Sequence, residues 1–241
     1  MTAFRSDPRL ARHHLKARPR IDSRSPMAAM WNRIGGLLER AGRIAGLEPA
    51  AMLAVWTVEC GGLDFRRGRP VLRFEPHVFF ARWGTDNEEA FDAHFQFGGR
   101  MGVEGARWQG HRLRSGADGW RRFHGEQEGE YEAFALARRL AGGEIACQCA
   151  SFGGPQIMGF NHALVGYDSA EAMVRAFGRS ERWQVLAFFD FCAAKGILDT
   201  LRTRDWKGFA TVYNGPGNAE AYAAKLQAAH GEALALLSKM Q

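Results

Sequence analysis

The residue with the clearest chemical signature is a glutamate at the end of an apolar run. Glu59 follows Val55, Trp56 and Val58, and Gly61-Gly62 comes directly after Cys60. Apolar neighbours disfavour the carboxylate anion, and so do the carbonyl dipoles at a helix C-terminus. A carboxyl group that stays neutral at about pH 7 is suited to general acid catalysis, although a solvated surface glutamate fits the same letters.

A glycine-rich segment, Ala150-Ser-Phe-Gly-Gly-Pro-Gln-Ile-Met-Gly-Phe-Asn161, is the second candidate site. Its glycines permit a backbone to approach a ligand closely, and Gln156 offers an amide to hydroxyl or N-acetyl groups. A tight buried turn between two helices explains the same composition.

The third candidate is Ala210-Thr-Val-Tyr-Asn-Gly-Pro-Gly217, where an apolar helical segment leads into Tyr213 and Asn214. The ring and the amide would stand at a helix end and face a ligand. An ordinary helix terminus formed by Asn and Gly is the alternative.

No motif in the sequence predicts a cofactor or a metal centre. The spacing of a phosphate loop is missing, and the four cysteines lack the paired spacing of a zinc ribbon. We interpret Cys60, Cys147, Cys149 and Cys192 as reduced thiols. Cys147 and Cys149 are better explained as small buried side chains than as metal ligands.

Helical periodicity dominates the chain that must position these residues. Ser25-Pro26 is a typical helix start, and apolar residues recur from there at three- and four-residue spacing up to Gly46. Glu48-Pro49 begins a second helix, which ends at Gly61-Gly62. Further helices are predicted over 130–140, 169–177, 180–194, 197–201, 206–212 and 219–237.

Two segments interrupt the helices. Residues 69–80 combine β-branched and aromatic residues with two prolines, which favours a short edge strand followed by a helix. Residues 98–129 are rich in Gly, Arg and Trp without a period, which predicts a long surface excursion. In a chain of 241 residues with 46% hydrophobic residues, the expected fold is mainly α with a small extended or β element.

The net charge of +6 is concentrated near the start of the sequence. Residues 1–25 hold seven basic and two acidic residues, whereas the remainder holds 25 basic and 24 acidic residues. Because large apolar residues are few there, we expect 1–25 to be a flexible basic arm and 26–241 to be the folded domain. This distribution argues against a specific nucleic-acid-binding face, and the sequence has neither a membrane-spanning run nor a Sec-type signal.

Taken together, the motifs resemble the N-acetylmuramidase family of phage and prophage endolysins, which is lysozyme-like. The matching blocks are Glu59-Cys60-Gly61-Gly62, residues 68–77, residues 150–161 and Tyr213-Asn-Gly-Pro216. They occur in the family's order and span residues 47–230. Cys60 stands where the family usually has Ser, and Phe152 stands where it usually has Trp.

The resemblance implies a lysozyme-like fold (α+β, mainly α) with a substrate cleft. It also implies hydrolysis of the β-1,4 bond between N-acetylmuramic acid and N-acetylglucosamine in peptidoglycan. Glu59 would be the general acid, and Gln156, Tyr213 and Asn214 would bind the sugar chain.

Glycoside hydrolysis commonly uses a second carboxylate, and the sequence offers two candidates. Asp64 follows the glycine pair, where it would position a water molecule. Glu75 lies beside Arg73 and His77, so a structural ion pair explains it as well.

Two other functions stay open. Attack by the muramyl 6-hydroxyl group would make the protein a lytic transglycosylase that leaves 1,6-anhydro ends. A lysozyme fold without activity would be a cell-wall-binding or phage structural module.

The resemblance also implies a setting for the protein. It would be encoded by a phage or prophage, made in the bacterial cytoplasm, and released to the periplasm and cell wall through a membrane lesion. We expect a monomer without cofactor that acts on peptidoglycan glycan strands. The basic arm is the candidate for attracting anionic envelope polymers.

Overall fold

The computed structural model describes residues 4–17, 19–22, 24–60, 65–66, 68–98, 110–116 and 119–240. The helices in these ranges are α1 Pro8–Ala11, α2 Pro26–Ala45, α3 Pro49–Cys60, α4 Pro76–Arg82, α5 Glu88–Asp92, α6 Gln127–Ala141, α7 Gly143–Gln148, α8 Ala170–Arg179, α9 Glu181–Ala194, α10 Leu198–Thr203, α11 Trp206–Asn214 and α12 Ala219–Leu237. The strands are β1 Phe65–Arg66, β2 Arg69–Pro70, β3 Leu72–Phe74, β4 Phe95–Gln96, β5 Arg112–Leu113, β6 Arg121–Arg122, β7 Ala150–Phe152 and β8 Ile157–Met158. The fold is mainly α with small antiparallel sheets, which confirms the expected class.

The first long helix begins and ends where the sequence predicts. The Ser25 hydroxyl accepts a hydrogen bond from the backbone N–H of Ala28, and Pro26 occupies the first helical position of α2. Gly46 ends the helix in the left-handed region with φ of 66°, a conformation that glycine adopts without a Cβ penalty. None of the described helices combines the length and apolar character that a membrane crossing requires.

The chain divides into two compact units. The first contains the described residues within 1–64, 164–166 and 179–241, and the second contains those within 65–163 and 167–178. The range 26–241, which we expected to be the folded domain, is therefore shared between two units.

In the first unit, helices α2, α3 and α9 contribute to one apolar core, and α12 packs against α3. The α3 residues from Ala50 to Trp56 are all buried, so this helix is apolar on every side, as an interior helix must be. Trp56 meets Phe188 of α9 edge to face, with ring centroids 5.7 Å apart. A rigid apolar surface therefore surrounds the helix that carries Glu59.

The segment before α2 also belongs to this core. Phe4, Leu10 and Ile21 are buried, and the ring of Phe4 lies 5.8 Å from that of Phe189 on α9. The prediction of a flexible arm is therefore wrong for the described part of residues 1–25. Sequence patterns show no sign of this packing because Phe4, Leu10 and Ile21 lie too far apart to show a helical period. Each is buried by residues that are distant in the chain.

Buried Asp190 fixes the start of that segment. Its carboxylate oxygens accept hydrogen bonds from the backbone N–H groups of Phe4 and Arg5. Burial raises the pKa of Asp190 to about 6, and the two backbone donors act in the opposite direction because they favour the anion.

The second unit carries the strands. Strand β3 pairs with β7 in antiparallel register, Leu72 opposite Phe152, and β7 pairs with β8. Residues 69–80 thus form strands and then α4, and β3 is the edge of its sheet, which confirms the sequence prediction. A packed aromatic cluster of Phe74, Phe79, Phe91 and Phe95 lies in this unit, with neighbouring centroids 5.3 to 6.0 Å apart.

The predicted surface excursion over 98–129 needs correction within its described residues, 98, 110–116 and 119–129. Strands β5 and β6 pair there and form a sheet with β4, and His111, Leu113 and Phe123 are buried. Strands of two residues carry no readable alternation, so the sequence pattern gave no sign of them.

Replacement of Phe4 tests whether the N-terminal segment is part of the core. We expect Phe4→Ala to lower the free energy of unfolding by about 3 kcal/mol, since it removes a buried aromatic side chain. Arg12→Ala, at an exposed position of the same segment, should change it by no more than about 0.5 kcal/mol. Urea denaturation measures both, and equal stabilities for the two variants would restore the flexible-arm interpretation.

Candidate active site

A carboxyl group in apolar surroundings lies at the end of α3 in the first unit. Glu59 lies in the last turn of α3, directly after the buried stretch that contains Val55 and Trp56. Its Oε1 atom is buried and accepts no hydrogen bond. The sequence prediction of a desolvated carboxyl group at this helix end is therefore confirmed.

Burial raises the pKa of Glu59 to about 8, far above the ordinary value of 4.5. Side-chain hydrogen bonds from Tyr222 of α12 and Asn214 at the end of α11 act in the opposite direction, because they stabilise the anion. Desolvation is the larger effect. At neutral pH the carboxyl group therefore carries a proton and has two neutral partners ready for the anion.

Tyr213 is held by aromatic packing on three sides. Its ring stacks on Phe209 at 5.3 Å and meets Phe188 and Phe191 edge to face at 5.6 and 5.7 Å. Asn214, the next residue, is exposed and hydrogen bonds to Glu59. The structure thus places two of the predicted site residues, Glu59 and Asn214, in contact, and it fixes the ring of Tyr213 beside Asn214 in the chain.

Gln156 lies in the second unit, in the turn that joins β7 to β8. Its backbone φ is 49°, in the left-handed region. The Ser151 hydroxyl donates to its Oε1 atom at 2.8 Å, and its Nε2 atom donates to the Gly153 carbonyl at 2.7 Å. The amide therefore stabilises its own hairpin, and the tight turn considered from the sequence joins two strands rather than two helices.

Gly159 follows this hairpin and has no room for a side chain. A Cβ atom there would overlap the carbonyl oxygen of Cys147. The close backbone approach that the glycine-rich segment suggested is therefore to the protein's own helix α7, which contains Cys147.

Glu75, the first candidate for the second carboxylate, is buried in the second unit between β3 and α4. The Arg73 Nε atom lies 3.2 Å from its Oε1 atom, and the His77 Nδ1 atom lies 3.5 Å from its Oε2 atom. Burial raises the pKa of Glu75, and the charge of Arg73 opposes that rise. These contacts fit the ion-pair interpretation. Asp64, the other candidate, lies outside the described residues.

The cysteines are unpaired where the structure describes their side chains. Cys147, Cys149 and Cys192 are free and buried. Burial raises the pKa values of Cys147 and Cys149 to about 12, so both remain thiols and offer no thiolate to a metal. The interpretation of these three as reduced, buried thiols is confirmed.

One group of side chains in the second unit has the geometry of a metal site, although the sequence predicted none. Glu75, His111 and His124 each offer a ligand atom, and these atoms lie within 4.8 Å of one another. His111 precedes β5 and His124 follows β6, so no sequence spacing connects them with Glu75.

Sequence reasoning also missed Tyr222. It lies on α12, outside the motifs, and reaches Glu59 because α12 packs against α3. Since that pairing joins distant parts of the chain, no local pattern could have identified this tyrosine.

Comparison with known proteins agrees with this architecture. The N-acetylmuramidase family matches residues 48–234. Among solved structures, the chain is similar to the crystal structure of a Burkholderia AP3 phage endolysin, with 30% sequence identity and a TM-score of 0.61. The match covers 81% of this chain and 68% of the endolysin chain, which confirms the lysozyme-like fold class. No curated protein matches the sequence.

The protonation of Glu59 can be measured directly. In a ¹³C NMR titration of side-chain carboxyl groups, we expect the Glu59 midpoint at about pH 8. Tyr222→Phe should raise that midpoint further, because it removes a hydrogen bond to the anion. Tyr213→Phe is the matched control and should leave it unchanged. A midpoint near 4.5 in the wild type would contradict the assigned environment.

Proposed function

Because the chain belongs to the N-acetylmuramidase family, we propose that it is an endolysin in which Glu59 is the general acid. The enzyme is a glycoside hydrolase, and its substrate is peptidoglycan. Family membership supports cleavage of the bond between N-acetylmuramic acid and N-acetylglucosamine. The assignment of Glu59 rests on the desolvated carboxyl group at the end of α3.

The raised pKa of Glu59 supports this role. With a pKa of about 8, the group holds its proton at neutral pH and can deliver it to the glycosidic oxygen as that bond breaks. The hydrogen bonds from Tyr222 and Asn214 favour the carboxylate that remains after proton transfer. The same surroundings therefore keep the acid neutral before the reaction and stabilise its anion afterwards.

Three further residues are proposed to bind the sugar chain. Asn214 is exposed next to Glu59, and Tyr213 presents a half-buried ring on a rigid aromatic support. Gln156 has one amide N–H beyond the one that it donates to Gly153. We assign Tyr213 and Asn214 to glycan binding in the first unit and Gln156 to glycan binding in the second unit. For the second catalytic group, Glu75 and Asp64 remain the candidates.

The basic N-terminal segment has a revised role in this proposal. Arg12, Lys16, Arg20 and Arg24 are exposed on a segment that is anchored in the core. A fixed basic surface attracts anionic envelope polymers without the entropy cost of ordering an arm. We assign this surface to association with the cell wall.

We further propose that the enzyme is a monomer and is encoded by a phage or prophage. The enzyme would be made in the bacterial cytoplasm and released through a membrane lesion.

Replacement of the acid tests the central assignment. We expect Glu59→Gln to reduce the release of reducing ends from purified peptidoglycan by about 100-fold or more, because the amide cannot donate the required proton. Glu232→Gln, at an exposed position of α12, is the matched control and should keep wild-type activity. A folded Glu59→Gln protein with more than about a tenth of wild-type activity would contradict the assignment.

The chemistry of the products separates hydrolysis from internal attack. Mass spectrometry of the released fragments, before and after borohydride reduction, should show reducing N-acetylmuramic acid ends. A 1,6-anhydro end is lighter by one water molecule and resists reduction. Such ends would identify a transglycosylase, and no release from several wall types would favour a binding module.

The pH profile follows from the same carboxyl group. Only the protonated acid is active, so kcat/KM should fall about tenfold for each pH unit above about 8. Tyr222→Phe should move this falling limb to higher pH. Measurement of kcat/KM against pH on soluble glycan fragments tests both, and a falling limb near pH 4.5 would contradict a neutral general acid.

A further inference from the structure

The cluster of Glu75, His111 and His124 joins three separate parts of the second unit. Glu75 stands between β3 and α4, His111 stands directly before β5, and His124 follows β6. Their three ligand atoms lie within 4.8 Å of one another, so one ion can reach all three after small side-chain movements. The donor set is two imidazole nitrogens and one carboxylate oxygen.

A fourth side chain orients the cluster. The His124 Nδ1 atom lies 2.6 Å from the Glu130 Oε1 atom, and the other Glu130 oxygen accepts a hydrogen bond of 2.9 Å from the backbone N–H of Phe74. Glu130 therefore orients the ring, and the His124 Nε2 atom hydrogen bonds directly to the Nδ1 atom of His111. A carboxylate that binds one imidazole nitrogen while the other faces the metal is the usual support for histidine ligands.

The cluster is shielded from water. His111 is 3% exposed, and Glu75 is also buried. The buried Oε2 atom of Glu75 accepts no hydrogen bond, although His77 lies near it. Arg73 faces the other oxygen of Glu75 and opposes part of its negative charge.

We propose that Glu75, His111 and His124 bind one divalent transition-metal ion, with Zn²⁺ as the best-fitting class. Two nitrogens and one oxygen suit Zn²⁺, whereas Ca²⁺ and Mg²⁺ take sets made of oxygen alone. A water molecule completes the tetrahedral coordination. The ion links the ends of β5 and β6 to the junction of β3 and α4, and it thereby stabilises the second unit.

Metal content of the full chain is the first measurement. The protein is stripped with a chelator, reloaded with micromolar Zn²⁺, passed through a desalting column and analysed by mass spectrometry of the element. We expect one Zn²⁺ per chain. Loading with Co²⁺ should give the intense visible absorption of a tetrahedral nitrogen and oxygen site. Wild-type protein that retains no zinc overturns the proposal without any variant.

Variants locate the ion. We expect His111→Gln and Glu75→Gln to lower the Zn²⁺ affinity at least tenfold, whereas His94→Gln should leave it unchanged. His94 is the matched control because it lies in the same unit and contacts the Arg114 carbonyl oxygen, outside the cluster. Equal zinc binding by all these proteins would place the ion elsewhere and overturn the proposal.

Stability provides a second readout that is independent of lysis. Saturating Zn²⁺ should raise the Tm of the wild type and of His94→Gln by about 5 °C or more, through preferential binding to the folded state. The Tm of His111→Gln should not respond. An unchanged wild-type Tm would contradict the stabilising role. These measurements do not involve Glu59, so their failure leaves the general-acid proposal intact.

Discussion

The burial of one carboxyl group at the end of α3 is the constraint on which the first unit depends. No cation is among the groups that shift the pKa of Glu59, so the fold tolerates it mainly as the neutral acid. A pKa raised from 4.5 to about 8 means that the folded state binds this proton more tightly than the unfolded chain does. The stabilisation is complete below pH 4.5 and is lost as the pH rises to about 8. The desolvation that keeps the Glu59 carboxyl group protonated therefore also lowers the free energy of unfolding at alkaline pH.

The remaining elements of this unit keep that arrangement rigid. Trp56 and Phe188 pack beside α3, and α12 carries Tyr222 to the carboxyl group. The aromatic support of Tyr213 fixes the end of α11 and so the position of Asn214. In the second unit, Glu130 has a comparable part, because it holds both the backbone of β3 and the ring of His124. Each unit thus uses a buried glutamate to organise the groups around it.

Local sequence patterns predicted correctly those features that depend only on neighbouring residues. The Ser25-Pro26 start, the Gly46 end and the apolar approach to Glu59 each depend on a few neighbouring residues. The features that the sequence analysis missed share a different cause. Phe4, Tyr222 and His124 acquire their surroundings from distant segments, and a strand of two residues leaves no period. The family resemblance succeeded because it compared whole ordered blocks, which no single helix or turn signal can do.

The link between Asp190 and the first described residues has a consequence for the lifetime of the enzyme. A protease that removed Phe4 and Arg5 would take both backbone donors from a buried carboxylate and uncover the ring of Phe189. The buried carboxyl group would then lack its hydrogen-bond partners, and a buried polar group without partners destabilises the folded state. Resistance to proteolysis therefore begins at residues 4 and 5, far along the chain from Glu59.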